Sequence, residues 1–238
     1  MNIINQKTYG KYNIFEYDVV DSTMNVIKTF QENTVIVAQK QESGKGKTGR
    51  VWNSENTGNL YFSIIKKTNK TNLDYSQLSF TSSIAMRQSI AKYANNHSIK
   101  FISKWPNDIL INNKKCCGIL LQFERSTNDI IIGIGVNINT YPETANFTAT
   151  SLKNENIIAN KYEILEEFLK NFDFLVSEWE NQGFAPIREK WLKNCYKLNE
   201  KITVNNTDGI FKNIDKDGTL VIELNNGEFS YIKSGDVF

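Results

Sequence analysis

Histidine, cysteine and proline are scarce in this chain of 238 residues, which contains one, three and three of them respectively. The cysteines are Cys116, Cys117 and Cys195. Their number is odd, two are adjacent, and none has the spacing of metal ligands. This pattern argues against a disulfide framework and against a Cys/His metal site. The adjacent pair is predicted to be packed thiols, because no histidine lies beside it in the sequence.

The chain also lacks a long apolar run and a strong imbalance of charge. No stretch approaches the roughly 20 apolar residues of a membrane span, and residues 1–7 lack the apolar region of a signal peptide. The formal net charge is only +2, so bulk electrostatics do not indicate a nucleic-acid partner. We therefore expect a cytoplasmic protein with reduced thiols that binds neither a membrane nor DNA.

Apolar residues are abundant enough for one large domain and a small second one, since 40% of the chain is hydrophobic and 12% is aromatic. The residue patterns predict an α+β fold over 1–197, in which a mixed β-sheet is flanked by helices. We predict strands at 12–20, 34–38, 59–65, 100–104, 108–111, 115–123 and 129–137, and helices at about 23–30, 74–95, 162–179 and 186–195.

The pattern of apolar and turn-forming residues changes after about residue 198. Short apolar runs at 201–205, 209–214, 219–224 and 228–232 are separated by turns rich in Asn, Asp and Gly. Such spacing is typical of hairpins. Residues 198–238 are therefore predicted to form a small β-barrel-like module, which is too small to be securely stable alone.

The most distinctive segment is the basic loop, residues 44–50, which reads Gly-Lys-Gly-Lys-Thr-Gly-Arg. Glycines let a backbone approach an anion closely, and the cations place charge where a phosphate or carboxylate would sit. A P-loop would need a glycine five residues before Gly46, where Gln41 stands, and no helix-forming run follows. A P-loop is therefore rejected, while a solvated surface loop remains the alternative to an anion site.

Two polar segments stand at junctions between predicted elements. Asp21-Ser22-Thr23 can cap the helix that follows it, or its hydroxyls can bind a small polar ligand. Residues 104–108, Lys-Trp-Pro-Asn-Asp, lie between two strands. They form either a turn with a surface lysine or a cluster of a cation, an amide and a carboxylate at a ligand site.

Glycines mark two further strands. Lys115 stands three residues before Gly118, where an ammonium could lie at the mouth of a pocket. Gly133 and Gly135 alternate with β-branched residues, so both lie on one face of their strand. That face is predicted to have room for a flat ligand or a crossing chain.

In this order, the segments resemble the motifs of the bacterial biotin–protein ligases along almost the whole chain. Residues 21–23 look like the family's Asp-Ser-Thr motif, 44–50 is similar to its Gly-Arg-Gly-Arg-Arg-Gly-Arg loop, and 104–108 is its Lys-Trp-Pro-Asn-Asp motif verbatim. Further similarities are Asn-Leu-Tyr at 59–61, Lys-x-x-Gly-Ile-Leu at 115–120, Gly-x-Gly-x-Asn at 133–137, Ala-Thr-Ser-Leu at 149–152 and the small β module at the end.

Some positions depart from the family pattern. Lys45, Lys47 and Thr48 stand where the family loop often has arginine, so charge is largely kept but the planar bidentate fork is lost. Met24 stands where the family commonly has asparagine. The motifs begin at Asp21, and the residues before it do not fit the helix-turn-helix of many bacterial members. The resemblance therefore implies a form without that DNA-binding domain.

The resemblance implies a biotin/lipoate ligase-like fold, with a small SH3-like β-barrel at residues 198–238, and an ATP-dependent ligase activity. Biotin and ATP, the substrates, would give biotinyl-5′-AMP and pyrophosphate. Biotin would then pass to the ε-amine of a lysine on a biotin carboxyl carrier domain, such as that of acetyl-CoA carboxylase. Mg²⁺ would bridge phosphate oxygens. The resemblance is compatible with a homodimer. It also implies that the basic loop orders over the adenylate.

The residues that the resemblance assigns fall into three overlapping groups. The catalytic group is Lys115, Lys47, Lys104 and Asp108. The biotin-binding group is Ser22, Thr23, Gln41, Gly44, Lys45, Gly46, Lys47, Trp52, Lys115, Gly118 and Gly133. The group that binds ATP or the adenylate is Lys45, Lys47, Arg50, Lys104, Asn107, Lys115, Gly135 and Asn137.

Two other functions are weighed against this one. A lipoate or octanoate ligase would share the fold and the chemistry, but the Arg-rich segment and triple glycine usual in that family are missing. A non-catalytic nucleic-acid-binding module could use the basic loop and the aromatic residues. The small net charge of +2 argues against it.

Overall fold

A mixed β-sheet forms the centre of the protein, in a computed structural model that describes residues 2–67, 75–143 and 147–238. Its strands are β1 (Ile3–Tyr9), β2 (Tyr12–Val20), β3 (Thr34–Gln41), β4 (Leu60–Lys67), β5 (Phe101–Lys104), β6 (Asp108–Ile111), β7 (Lys114–Glu124) and β8 (Asp129–Val136). In space they follow the order β1-β2-β3-β4-β8-β7-β6-β5. The β2–β3 pair is parallel and the other pairs are antiparallel. The predicted mixed sheet is therefore confirmed.

The first strand, β1, has no counterpart among the predicted strands. It lies at an edge of the sheet, and Ile3 and Ile4 are 52% and 50% exposed. A strand that is buried on neither face does not show alternating apolar residues, and this alternation is the signal that identifies strands in a sequence.

The described residues contain four helices: α1 (Thr23–Val26), which continues as one 3-10 turn at Ile27–Thr29, α2 (Gln77–Ala91), α3 (Lys161–Gln182) and α4 (Phe184–Leu192). Alternate residues of β3 point to opposite faces, so Val35 and Val37 join the larger core under α2, α3 and α4. Ile36 and Ala38 join a smaller core with α1. Within the described residues, no helix is both long enough and apolar enough to cross a membrane.

The long helix α3 confirms the amphipathic pattern predicted for it. The Asn160 side chain accepts a hydrogen bond from the backbone N–H of Tyr162 at 2.8 Å and so caps the helix N-terminus. The predicted apolar stripe is buried, and consists of Leu165, Phe168, Leu169, Phe172, Leu175, Val176 and Trp179.

The helix α2 is shorter than the predicted 74–95. Beyond Ala91 the N–H of Tyr93 donates to Ile90 and that of Ala94 to Ala91. These i to i−3 bonds form tighter turns that end the α-helix. The predicted start at Asp74 lies outside the described residues.

A second, smaller sheet follows the helices. Its strands are β9 (Lys201–Val204), β10 (Thr207–Ile214), β11 (Leu220–Glu223) and β12 (Phe229–Ile232), in the antiparallel order β12-β11-β10-β9. The boundary at 197/198 between two domains stays a prediction. The β10–β11 turn lies against the larger sheet's elements, since Trp105 Nε1 donates to the Gly218 carbonyl at 3.1 Å.

The first turn of the small sheet differs from the prediction. The turn predicted between the runs at 201–205 and 209–214 consists only of Asn205 and Asn206, with φ of 50° and 61°. Both lie in the left-handed region that asparagine tolerates, which is the geometry of a two-residue hairpin turn. Residues 207–209 therefore belong to β10.

The adjacent cysteines are packed in β7, as predicted. Cys116 and Cys117 are free thiols with no exposed surface. Burial raises the pKa of both thiols, and Cys116 Sγ lies 3.4 Å from the Ile109 carbonyl oxygen. Neither thiol is activated as a nucleophile.

The packing of α3 on the sheet predicts the cost of removing one aromatic ring. Phe168 is fully buried, and its ring centroid lies 5.2 Å from that of Phe62 and 5.4 Å from that of Phe172. We expect Phe168→Ala to lower the free energy of unfolding by about 3–5 kcal/mol in urea denaturation. Phe174, on the same helix, is 69% exposed. As the control, Phe174→Ala should cost less than about 1 kcal/mol, and equal costs would contradict this packing.

Candidate active site

One cavity of about 100 Å³ collects most of the side chains that the motifs single out. It lies under the basic loop and beside α1, where β3, β7 and β8 present residues to the same space. The sequence-predicted residues that line it are Ser22, Thr23, Gln41, Lys45, Gly46, Lys47, Arg50, Trp52, Asn107, Asp108, Lys115, Gly118, Gly133 and Gly135. Segments far apart in the chain are thus brought together.

The floor of the cavity consists of glycines on neighbouring strands. Gly118 of β7 is paired directly with Gly135 of β8. A Cβ added to Gly118 would lie 2.6 Å from the indole of Trp52, and one added to Gly135 would also overlap that ring. A Cβ on Gly133 would lie 2.6 Å from Met24 Sδ. The face that we expected to be open is therefore covered by the protein's own Trp52 and Met24 side chains.

One end of the cavity has a hydrogen-bonded group of short polar side chains. Gln41 Oε1 accepts from the backbone N–H of Thr23 at 2.9 Å and from its hydroxyl at 3.1 Å. Gln41 Nε2 donates to Ser54 Oγ at 2.8 Å, and the Thr23 hydroxyl meets that of Ser63 at 2.8 Å. These bonds hold the Gln41 amide and the Thr23 hydroxyl in place at the cavity wall.

Two buried polar atoms of the lining residues have no hydrogen-bond partner within the part of the chain that the structure describes. They are Ser22 Oγ and Trp52 Nε1. Buried polar groups are paired in the great majority of cases, because an unpaired one costs about 1–3 kcal/mol. Both atoms belong to a cavity wall, so a polar ligand could supply the missing partners.

The opposite end of the cavity is charged. Lys115 Nζ lies 2.7 Å from Asp108 Oδ1, and both side chains are less than one-fifth exposed. The ammonium also lies 5.5 Å from the centroid of the Trp52 ring and 4.9 Å from that of Phe147. Lys115 is thus held between an acid and two aromatic faces.

The basic loop folds back on itself as a small hairpin. The N–H of Gly46 donates to Arg50 at 2.8 Å, and the N–H of Trp52 donates to Gly44 at 2.9 Å. Thr48 and Gly49 turn the chain with φ of 56° and 76°. Gly44 requires the absence of a side chain, because a Cβ there would overlap the Trp52 carbonyl oxygen.

Each cation of the loop contacts a different part of the protein. Lys45 Nζ donates to the Asn25 side chain of α1. Lys47 Nζ donates to the Gly235 carbonyl at 2.7 Å, and Arg50 forms an ion pair with Asp236. Burial lowers the pKa of Lys47, and the negative charge of Asp236 opposes this effect.

Three predicted residues do not line the cavity. Gly44 acts through the backbone geometry of the loop. Lys104 Nζ lies 5.7 Å from the ring centroid of Tyr196 and 5.4 Å from that of Phe238, and burial lowers its pKa. Asn137 is buried, and its amide donates to the Thr150 carbonyl at 3.1 Å. The part that Lys104 and Asn137 play in ligand binding stays a prediction.

Several residues that line the cavity were not predicted from the sequence. Two of them contact predicted cations: Asp236 pairs with Arg50, and the ring of Phe147 lies beside Lys115. Asp236 follows β12, in a part of the sequence that reads as a separate module, so no local pattern links it to the cavity. Phe147 follows β8 outside any motif. Met24 was recognised only as a departure from the family pattern, yet it covers Gly133.

The donor set of the cavity fits anions better than a protein-bound metal ion. Among the described lining residues, Lys45, Lys47, Arg50 and Lys115 are basic, whereas Asp108 and Asp236 are acidic. The described residues contain no group of three or more His, Cys, Asp or Glu side chains that could hold a metal. These residues do not fit a resident Mg²⁺ site.

The contact between Trp52 and the glycine floor predicts the effect of a single added methyl group. Gly135→Ala should force the Trp52 indole away from Gly118 and Gly135, because the new methyl group would otherwise overlap the ring. Overpacking of this kind costs about 1–3 kcal/mol. We expect the tryptophan emission of the protein to shift to the red. The same substitution in a Trp52→Phe background should cause no shift, since Trp105, Trp179 and Trp191 are buried elsewhere. Equal shifts in both backgrounds would contradict this geometry.

The chain is similar in sequence to known protein ligases. The model of the biotin/lipoate A/B protein ligase family matches residues 17–139. The bifunctional ligase/repressor BirA of Bacillus subtilis is 30% identical, over 96% of this chain and 74% of that protein. The biotin–[acetyl-CoA-carboxylase] ligase of Paracoccus denitrificans is also 30% identical, over 79% of this chain and 82% of that protein.

Solved structures show the same fold. The biotin protein ligase from Aquifex aeolicus in complex with biotin and ATP superposes with a TM-score of 0.82 over 94% of this chain and 97% of that one, at 24% identity. The fold, the extent of the sequence match and the family model point to one group of enzymes. The chain therefore belongs to the biotin/lipoate A/B protein ligase family and is a ligase.

Proposed function

We propose that this enzyme is an ATP-dependent biotin–protein ligase that works in two steps. It first forms biotinyl-5′-AMP from biotin and ATP with release of pyrophosphate. It then transfers biotin to the ε-amine of a lysine on a biotin carboxyl carrier domain. The observation that carries the proposal is the cavity itself, which joins a glycine-floored slot to a group of cations around Lys115.

The first step requires cations because it brings two anions together. A biotin carboxylate oxygen attacks the α-phosphorus of ATP, and the bond from that phosphorus to the pyrophosphate oxygen breaks. Fixed positive groups offset the repulsion and stabilise the charge that develops on the phosphate oxygens. Lys115 would contact the carboxylate and the α-phosphate, and Lys47 and Arg50 would contact the rest of the nucleotide phosphates.

The polar end of the cavity would recognise the ureido ring of biotin. This ring is small and flat and carries both donors and an acceptor. The unpaired Ser22 hydroxyl would form a hydrogen bond with it. The neighbouring Thr23 and Gln41 side chains are already fixed by their hydrogen bond to each other. Trp52 would cover the thiophene ring and the valeryl chain, which requires the indole to move off Gly118 and Gly135 far enough to admit them.

The second step releases AMP when the acceptor amine attacks the mixed anhydride. The amine must lose a proton, and the Asp108 carboxylate is our candidate to orient or deprotonate it. Its ion pair with Lys115 fixes the carboxylate next to the group that would hold the adenylate phosphate. Asp108 would therefore serve both steps, by holding Lys115 in the first and by accepting a hydrogen bond from the amine in the second.

Pyrophosphate exchange into ATP tests the first step. We expect exchange that depends on biotin and not on lipoate, and that falls about 100-fold or more in Lys115→Ala, because one positive group aimed at the developing charge is lost. Lys114→Ala is the matched control. It removes the neighbouring ammonium, which instead lies 3.2 Å from Glu155, and should change exchange by less than about three-fold.

Each other outcome has a definite meaning. Exchange with lipoate or octanoate alone would make the protein a lipoate-type ligase of the same family. No exchange with any acid would remove the proposal and return attention to the nucleic-acid-binding module. Equal losses in the two lysine variants would show that bulk charge, and not the position of Lys115, drives the reaction.

Transfer from preformed biotinyl-5′-AMP, without ATP, isolates the second step. We expect biotin to appear on a carrier domain and not on the same domain with its acceptor lysine changed to arginine. Asp108→Asn should slow this transfer by about 100-fold, whereas Asp215→Asn, in the β10–β11 turn, should not. Transfer at the wild-type rate in Asp108→Asn would limit Asp108 to its contact with Lys115.

A further inference from the structure

Two cations of the basic loop are bound to a segment that follows β12, residues 234–238. Lys47 donates to the Gly235 carbonyl at 2.7 Å, and Arg50 forms an ion pair with the Asp236 carboxylate. Asp236 also lines the cavity. A carboxylate from the small sheet therefore lies in the wall of a site whose other charges are mostly positive.

The segment is anchored to the small sheet independently of the loop. The backbone of Phe238 exchanges hydrogen bonds of 3.1 and 3.2 Å with Thr203 of β9. The Asn205 amide donates to the Ser234 carbonyl at 2.7 Å. These hydrogen bonds hold the segment on the small sheet, so the position of Asp236 does not depend on its ion pair with Arg50.

The electrostatics of Asp236 favour its charged form. Burial by itself would raise the pKa of this carboxyl, but the hydrogen bond from Arg50 and the charges of Arg50, Lys47 and Lys104 lower it overall. The ionised carboxylate has two opposite effects. It compensates the cations of the loop when the cavity holds no ligand, and it repels any polyanion that enters.

From this geometry we propose that Asp236 is a positioning residue that takes the place of the substrate anion. In the ligand-free enzyme it binds Arg50 and keeps the basic loop docked on the small sheet. When ATP binds, Arg50 exchanges the Asp236 carboxylate for a nucleotide phosphate. This inference rests on the proposed function, because it takes a nucleotide phosphate as the anion that competes for Arg50.

The exchange has a measurable consequence for affinity. Each ATP molecule that binds must first break the Arg50–Asp236 pair, so the pair weakens ATP binding. A partly exposed ion pair contributes about 0.2–1 kcal/mol, which corresponds to a change in affinity of up to about five-fold. In return, the pair holds the loop close to the cavity before ATP arrives, which lowers the entropy cost of the ordering over the adenylate that the resemblance implies.

A direct binding experiment tests the exchange. We would titrate α,β-methylene-ATP, which cannot be cleaved between its α- and β-phosphates, into protein saturated with biotin and measure the dissociation constant calorimetrically. Asp236→Asn should lower this constant about two- to five-fold. Asp236→Glu, which keeps the charge, should stay near wild type. Glu228→Gln, which removes a charge from the β11–β12 turn of the same sheet, should have no effect.

A second background separates the exchange from a general effect of charge or folding. In Arg50→Gln protein the cation that the two anions share is gone, and only the direct repulsion between Asp236 and ATP is left to remove. Asp236→Asn should therefore lower the dissociation constant by less than in the wild-type background, by under about 1.5-fold. Trypsin, which cleaves after Lys45, Lys47 and Arg50, should cut the ligand-free Asp236→Asn protein several-fold faster within the loop than wild type. Biotin plus ATP should protect both proteins to the same extent.

Several results would overturn the inference. One is an Asp236→Asn protein that binds the nucleotide as weakly as wild type, or more weakly. Another is an equal effect of Asp236→Asn with and without Arg50, and a third is unchanged cleavage of the ligand-free loop. Failure of the proposed function is distinguishable, because wild type would then show neither nucleotide binding nor biotin-dependent exchange.

Discussion

The pairing of β7 with β8 is the constraint on which the cavity depends. It sets Gly118 opposite Gly135, so that two neighbouring strands lack side chains at the same point of one face. A slip of one residue would turn Ile119 or Ile134 toward that face and close the slot. Every residue of β8 is buried, and the strand lies between β4 and β7. A slip in register would therefore disrupt packing along the whole strand, which strongly disfavours it. The glycine floor of the cavity is thus specified by a fully buried strand at the centre of the sheet.

The cations around this floor are each bound by a different element. Lys45 contacts α1, Lys47 and Arg50 contact the segment after β12, and Lys115 pairs with Asp108 at the start of β6. Collecting positive side chains in a partly buried space is unfavourable unless each one has a partner. The partners supplied here tie the loop, the first helix and the small sheet together. An anion that binds these cations would therefore change the contacts of the loop, of the first helix and of the small sheet together.

Much of this architecture could be predicted from residue patterns. The stripe of α3 and the β-branched runs of the central strands leave clear periodic signals, because one face of each element is buried. The strand β1 has no such signal, since both of its faces are largely exposed. The turn at 205–206 was predicted too long, because Thr207 and Asp208 are typical turn residues that here pair in the ladder with β9.

The site was predictable where a motif is local and not where it depends on distant contacts. Two glycines on one face of β8 predict a surface without side chains, but nothing in the sequence indicates that Trp52 and Met24 cover it. Lys104 belongs to the same motif as Asp108 and is paired with it across β5 and β6, yet only Asp108 lines the cavity. Asp236 carries no local pattern at all, because its position depends on how the small sheet docks.

The strand β7 has a second use, which depends on the register shift between Lys115 and Cys117 in its pairing with β6. It gives Lys115 and Gly118 to the cavity, while the thiols of Cys116 and Cys117 between them are sealed in the protein interior with no exposed surface. A thiol reagent can reach this pair only when the central sheet opens. The rate of alkylation at these two positions therefore reports how often the catalytic half of the molecule unfolds, and its decrease on addition of a ligand measures how strongly that ligand holds the sheet closed.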